Sequence, residues 1–258
     1  MVTAMTTEPG RAGLYRLLAW ASPAFPTGGF SYSHGLEAAV ADGAVHDRAS
    51  LQGWIAAVVA KGSGRVDADI LRDAWRAAAA GDEPAATDAN RRGVAYRATA
   101  ELALESSQQG AAFLTAYEAA WAGPHPNPSP QAGEGTGTRA DALPPPQAGE
   151  GRGGGSLGSE ICHAAVFGTA AARAGIALAD ALTAYLQTFA ANLMSAGLRL
   201  GIIGQSDGQR VLAALEPVVG AAVAASLLRD IQDFGAATFA VDLVSMAHET
   251  QYTRLFRS

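Results

Sequence analysis

Nowhere in the 258 residues do apolar and polar side chains alternate with a period of two between turn signals; apolar residues recur instead at spacings of three and four, segment after segment. That spacing places apolar side chains on one stripe of an α-helix and leaves no half-buried strand to pair. The chain is therefore predicted to be all-α, a single-domain helical bundle of about nine to eleven helices over residues 11–258, wrapped around a long helix at 178–203. Composition permits such a core: 49% of residues are hydrophobic and 16% charged, far from the balance that keeps a chain disordered.

Punctuation residues divide the pattern. A first helix at 11–20 ends at Ser22–Pro23. Residues 30–41 form a second, with Gly43 behind it. Asp47 caps a third that runs to Val59, with Leu51, Ile55 and Val58 on one face, before Gly62 and Gly64 break it. A fourth helix covers Asp67 to Ala80 and stops at Gly81, and Asp67 and Asp69, two apart, read as solvated charge. Pro84 opens the region 84–121, which is either two helices or one kinked helix, with Gly93 and Gly110 as weak points. Ser159 caps a helix to Ala174. The segment 178–203 is the longest helix, Ser206 or Asp207 caps 208–215, Pro217 opens 218–233, and a last helix covers about 238–250. Residues 123–158 differ in kind. Pro and Gly dominate, the hexapeptide PQAGEG occurs at 130–135 and again at 146–151, and no packed core is possible; this reads as a disordered surface insertion.

Several function classes fall away on chemistry. One lysine (Lys61), scattered arginines and a net charge of −6 do not suit nucleic acid. The charge-free run 181–198 is long enough for a bilayer but carries Gln187 and Asn192 and is bounded by Asp180 and Arg199, so it reads as a buried helix. With one cysteine, Cys162, and no apolar leader at the N-terminus, a cytoplasmic location is expected. No phosphate-cradling loop is present, since Gly62-Ser63-Gly64-Arg65 lacks the spacing and the lysine. The five histidines never stand four apart, so no stable metal site or bound cofactor is expected within the chain, and His34 with Glu37 reads as a structural hydrogen bond.

The least ordinary stretch is SPAFPTGGFSYSHGLE at 22–37. Pro23 and Pro26 forbid a continuous helix, and Gly28 and Gly29 permit backbone angles other residues avoid. The reading is a stiff aromatic loop that fixes Phe30, Tyr32 and His34 for packing or for a partner. Ser31 or Ser33 with His34 offers a serine-hydrolase alternative, but the nucleophile elbow lacks its last glycine and its strand. At the other end, the tail 252–258 combines Tyr252, Arg254, Leu255, Phe256 and Arg257, residue types that anchor interfaces.

These stretches resemble the urease accessory protein UreF family. SPAFPTGGFSYSHGLE at 22–37 is similar to its N-terminal signature, ELALESSQQGAAFL at 101–114 to its Glu-rich helix, and His163 to Gly168 with Gly175 to its central region. GQSDGQ at 204–209 resembles its double-Gln motif and HETQYTRLFRS at 248–258 its C-terminal end; only the first ten residues and 123–158 depart from the pattern. The resemblance implies an all-α homodimer with no catalysis of its own. It implies a scaffold that joins UreD (also called UreH) and the GTPase UreG for GTP-dependent delivery of nickel to apo-urease, the nickel being handled by the complex. On that resemblance the tail is expected to be mobile alone and ordered against UreD, helices 178–203 and 218–233 to form the dimer contact, and Gln205 and Gln209 to line a polar path or receive the GTPase. A generic helical adaptor is the other class left open.

Overall fold

The computed structural model describes residues 10–122 and 160–258, which hold ten α-helices, two short 3-10 turns and no strand. The expected insertion at 123–158 and the expected cap Ser159 lie outside the described residues. Helix α1 (Arg11–Trp20) leads through the 3-10 turn Gly29–Ser31 to α2 (Leu36–Ala41), α3 (Arg48–Lys61) and α4 (Ser63–Ala80). Then come α5 (Glu83–Ala95), α6 (Ala100–Ala120), α7 (His163–Arg173), α8 (Leu178–Arg199), α9 (Gln205–Leu228) and α10 (Phe239–His248).

Local chemistry accounts for most boundaries. Asp47 accepts a hydrogen bond from the Ser50 N–H while Ser50 reaches back to the Asp47 N–H, a reciprocal cap that starts α3. Asp82 caps α5 with Pro84 in its first turn, and Thr99 caps α6 through the Leu102 N–H. Gly81 closes α4 in the left-handed conformation.

Helix α8, which the expectation placed at the centre, touches α1, α2, α3, α4, α7, α9 and the 3-10 turn, and α4 is a second hub. Helix α4 packs along α7 and also touches α3, α5, α8 and α9. The crossing with α7 is close because Gly168 lies against the Leu71 carbonyl, where any Cβ would collide. Around it, Trp20 meets Phe113, Tyr117 and Phe167 edge-on with ring centroids 5.7–6.1 Å apart, and Leu36, Leu51, Ile55, Ile70, Leu182, Leu186 and Leu215 are fully buried.

Five expectations are corrected. Residues 32–35 are not helical, so the second helix begins at Leu36. Only Gly62 breaks the chain after α3; Gly64 lies inside α4. The region 84–121 takes the two-helix option, divided at 96–99, but Gly93 and Gly110 are not its weak points: they lie inside the helices, where close neighbours leave no room for a side chain. Pro217 does not open a helix but sits within α9, which at 24 residues exceeds the 22 of α8. Asp67 and Asp69 are buried, not solvated. Asp67 Oδ1 pairs with Arg97 at 2.8 Å and its Oδ2 accepts from the Tyr185 hydroxyl, while Asp69 receives Arg72, Arg229 and the Ser226 hydroxyl. Because α4 is packed on several sides, both of its carboxylate faces look inward, and each is matched by arginine.

Candidate functional site

The aromatic loop and the C-terminal tail, far apart in sequence, form one structure. The loop turns at Gly28 (φ 73°), and His34 (φ 54°) and Gly35 (φ 73°) form a second left-handed corner that starts α2. Gly35 is required twice over: a Cβ there would lie 2.9 Å from the Ser245 backbone nitrogen of α10. That close approach of α10 brings residues 248–258 across α2 and α6.

Three buried glutamates hold the tail there. Glu37 accepts the N–H of Leu255 at 2.7 Å and of Phe256 at 2.9 Å. Glu101 accepts Arg254 Nη1 at 2.6 Å, and Glu105 accepts the Ser258 hydroxyl at 3.1 Å. The Ser258 carbonyl takes the Ser33 N–H at 2.7 Å together with the Ser33 hydroxyl, and Arg257 N–H donates to the Ser31 carbonyl at 2.8 Å. The guanidinium of Arg199 lies 4.3 Å from the ring centroid of Phe256 and donates to the Phe30 carbonyl. His248 is fully buried between Glu101 Oε2, 2.7 Å from Nδ1, and Glu37 Oε2, 3.2 Å from Nε2. Burial raises the Glu37 carboxyl, but the Leu255 and Phe256 N–H groups and His248 outweigh it, and the net shift is downward.

The sequence-predicted residues therefore divide. Phe30, Tyr252 and Leu255 stand out from the surface, and Arg257 is exposed with its guanidinium 3.3 Å from the Gln108 side-chain oxygen. Tyr32, His34 and Phe256 face inward: Tyr32 donates to the Gln108 side chain, and His34 Nδ1 lies 3.0 Å from Glu105 Oε2. Burial and Glu105 push the Tyr32 phenol up, against the pull of Arg257. The expected His34–Glu37 partnership is not made; each has a different partner. The tail is not free in the protomer: residues 254–258 are docked, while Tyr252 is fully exposed. Ser33 is sealed with its hydroxyl committed to Ser258, which removes it as a nucleophile. Gln205 and Gln209 lie exposed on the first turns of α9 and line neither of the two cavities described below, which excludes the polar-path option for those cavities.

Behind the loop lies a cavity of about 280 Å³, walled by Pro26 and Phe30 on one side and by Asp67, His163, Phe189 and Asn192 on the other. Burial, with Arg97 adding and Asp67 opposing, pushes the His163 imidazole down to about 4, so it is neutral at physiological pH. Burial and Asp67 hold the Tyr185 phenol well above its ordinary value. Arg97 also lines a second cavity, bordered by Tyr96 and Asp242, whose carboxyl burial raises. Among the described residues, no group of three or more His, Cys, Asp or Glu side chains is placed to hold a metal ion.

Sequence reasoning passed over Glu37, Glu101 and Glu105 as tail anchors. One signal was available: two glutamates four apart on an Ala-rich helix, on the same face as Leu102 and Gln109.

The family model for UreF matches residues 45–216. Among curated proteins, the chain is 43% identical to a urease accessory protein UreF of Granulibacter bethesdensis, over 99% of this chain and 98% of that one. It is 42% identical to the protein of that name from Azorhizobium caulinodans over the full length of both, and 41% identical to that of Rhodopseudomonas palustris over 98% and 97%.

Proposed function

The chain belongs to the UreF family of urease accessory proteins, and on that premise we propose that it is a non-catalytic scaffold of urease maturation in the cytoplasm. In this reading it joins UreD (UreH) and the GTPase UreG on apo-urease, and nickel is the cargo of the assembly rather than a resident cofactor of this chain. The observation that carries the reading is the composite surface of loop and tail. Buried Phe256 and Ser258 pin the tail and leave Tyr252, Leu255, Phe30 and Arg257 exposed as an aromatic and cationic strip. Such a strip suits a protein partner because its ordering cost is already met within the chain. We assign it to UreD, and the exposed Gln205 and Gln209 at the start of α9 to the GTPase.

A homodimer is part of the same proposal. Helix α8 buries Leu182, Tyr185, Leu186 and Leu193 within its own protomer, whereas α9 leaves Ala213, Gly220, Ala221, Ala224 and Leu228 in solvent. That makes α9 the better candidate for the contact. It is also long and apolar enough to cross a membrane, with a mean hydropathy of 2.0 over its most apolar window; Arg210, Glu216 and the inward Val211, Leu215, Val219 and Val223 fit a helix lying on a bundle instead.

Capture of purified UreD and UreG by this chain, with urease activity measured in a strain lacking it, tests the scaffold. Binding to both partners and loss of urease activity in the deletion strain are expected. A chain that binds neither partner, with urease fully active in its absence, ends the proposal. Removing residues 252–258 is expected to abolish UreD capture while the helical circular dichroism persists.

A further inference from the structure

The cavity behind the aromatic loop is walled by polar groups of two kinds. Its carboxylates are committed. Asp67 is paired with Arg97 at 2.8 Å and accepts from the Tyr185 hydroxyl at 2.9 Å, and Glu105 lies 3.0 Å from His34 Nδ1 and accepts from Gln109 Nε2 at 2.8 Å. Three neutral groups are not: the His163 imidazole, the Asn192 carboxamide and Gln109 Oε1 have no hydrogen-bond partner among the described residues. The His163 ring is held by Phe113 and Tyr185, at centroid distances of 5.7 and 5.3 Å, yet it is only partly covered, and the space it faces is the cavity. Asn192 and Gln109 converge beside the loop, where a Cβ on Gly29 would lie 2.8 Å from Asn192 Nδ2 and 3.5 Å from Gln109 Oε1.

These three groups offer donors and acceptors without charge. The imidazole, neutral at physiological pH, supplies one of each, the Asn192 carboxamide supplies both, and Gln109 Oε1 adds an acceptor. A charged ligand would lose its hydration in a site whose counter-ions are already paired, whereas an uncharged one with both a donor and an acceptor would match what is left over. The apolar part of the wall is aromatic, from Trp20, Phe25, Phe30 and Phe189. At about 280 Å³ the cavity approaches the lower end of small-molecule sites, about 300–1,000 Å³, which pair mostly apolar walls with a few placed polar groups. Phe30 lines the cavity and is 65% exposed, so on that side the site is one side chain from solvent. We propose that this cavity is a binding site for a small uncharged aromatic molecule bearing a carboxamide or a similar donor–acceptor group, its ring against the aromatic wall and its polar group at His163 and Asn192. The inference concerns the chain alone and does not depend on the identity of any partner.

Benzamide, benzoate and benzamidine share one shape and are neutral, negative and positive at about pH 7.5. The test is to titrate each into the full chain, with Kd read by calorimetry and the ring nitrogens of His163 followed by NMR. Benzamide is expected to bind with a Kd of about 1 mM or below, at least about tenfold more tightly than either charged analogue, and to shift the His163 ring signals. No benzamide binding up to about 10 mM overturns the proposal and leaves a cavity for water alone. A charged analogue that binds as tightly overturns the ligand class, and benzamide binding that leaves the His163 ring unmoved overturns the site. Asn192→Leu keeps the side chain's size and removes its amide, and it is expected to weaken benzamide about fivefold to tenfold with the helical circular dichroism unchanged. Unchanged affinity in that folded variant also overturns the proposal, and if the variant does not fold, the native charge series decides alone.

Discussion

At the scale of single residues, Glu37 has the most to lose. Its two oxygens serve two backbone N–H groups and an imidazole in a largely buried site. Glu37→Ala strands those three donors at once, and the expected cost is about 3 kcal/mol, mostly the penalty of leaving buried polar groups unmatched rather than the worth of any one bond. Chemical denaturation checks the magnitude; a midpoint equal to the native chain's would mean the tail contributes nothing to global stability. The pH dependence has a definite sign. Because the Glu37 carboxyl sits below its ordinary value of 4.5, its contribution is present above that value and is lost as pH falls through the lowered one. An acid titration of Leu255 and Phe256 amide protection should therefore show loosening below about pH 4.5 while the α4 amides hold. His163 behaves differently: burial holds its imidazole at about 4, below the 6.5 of a free one, so the unfolded chain takes up the proton first and stability is lost as pH falls from about 6.5 towards about 4, levelling off below that.

At the scale of elements, two substitutions test opposite ideas about helix packing. Gly168→Ala places a methyl group against the Leu71 carbonyl where α4 crosses α7, and the helices must part. A loss of about 1–3 kcal/mol is expected, read as a lower Tm. Pro217→Ala restores a backbone N–H in the middle of α9 at an exposed position, so a gain of up to about 3 kcal/mol is expected. An unchanged Tm would mean that α9 already bends to absorb the proline. These two residues also mark where the sequence was and was not legible. Helix type, the Asp47 cap, the Gly81 stop and the Pro84 start were all visible, because each depends on residues within one turn of itself. Pro217 misled because packing of α9 along α3 and α8 outweighs a local rule. Asp67 and Asp69 misled because, apart from Arg72 three residues on, the arginines that match them come from elsewhere: Arg97 meets Asp67, and Asp69 and Arg229 are 160 positions apart. The site divided in the same way. The loop and the tail each stood out as unusual stretches, but their union did not, since it rests on glutamates whose partners arrive only when α10 crosses α2.

At the scale of the whole molecule, the question is what covers α9. Its inner edge, Val211, Leu215, Val219 and Val223, holds it on α3 and α8. Its outer edge presents small residues, Ala213, Gly220, Ala221, Ala224 and Ala225, with Leu228 at the end 88% exposed. Small side chains permit close approach of a second helix, and a two-fold contact between two copies of α9 would pair the same strip with itself. A charge at its centre tests this without touching the core. Ala221→Glu adds a carboxylate to an exposed helical position, where the cost to the isolated protomer is about 0.5 kcal/mol or less. In a dimer built on α9, two such charges would meet in a desolvated interface, at a cost of several kcal/mol. Sedimentation equilibrium is expected to find the native chain dimeric and the variant monomeric, with equal helical circular dichroism. A variant that stays dimeric places the contact elsewhere on the surface and leaves α9 for another partner. Because the loop–tail strip is built within one protomer, the monomeric variant should retain UreD binding at each strip while losing the two-to-two stoichiometry that a dimeric scaffold imposes.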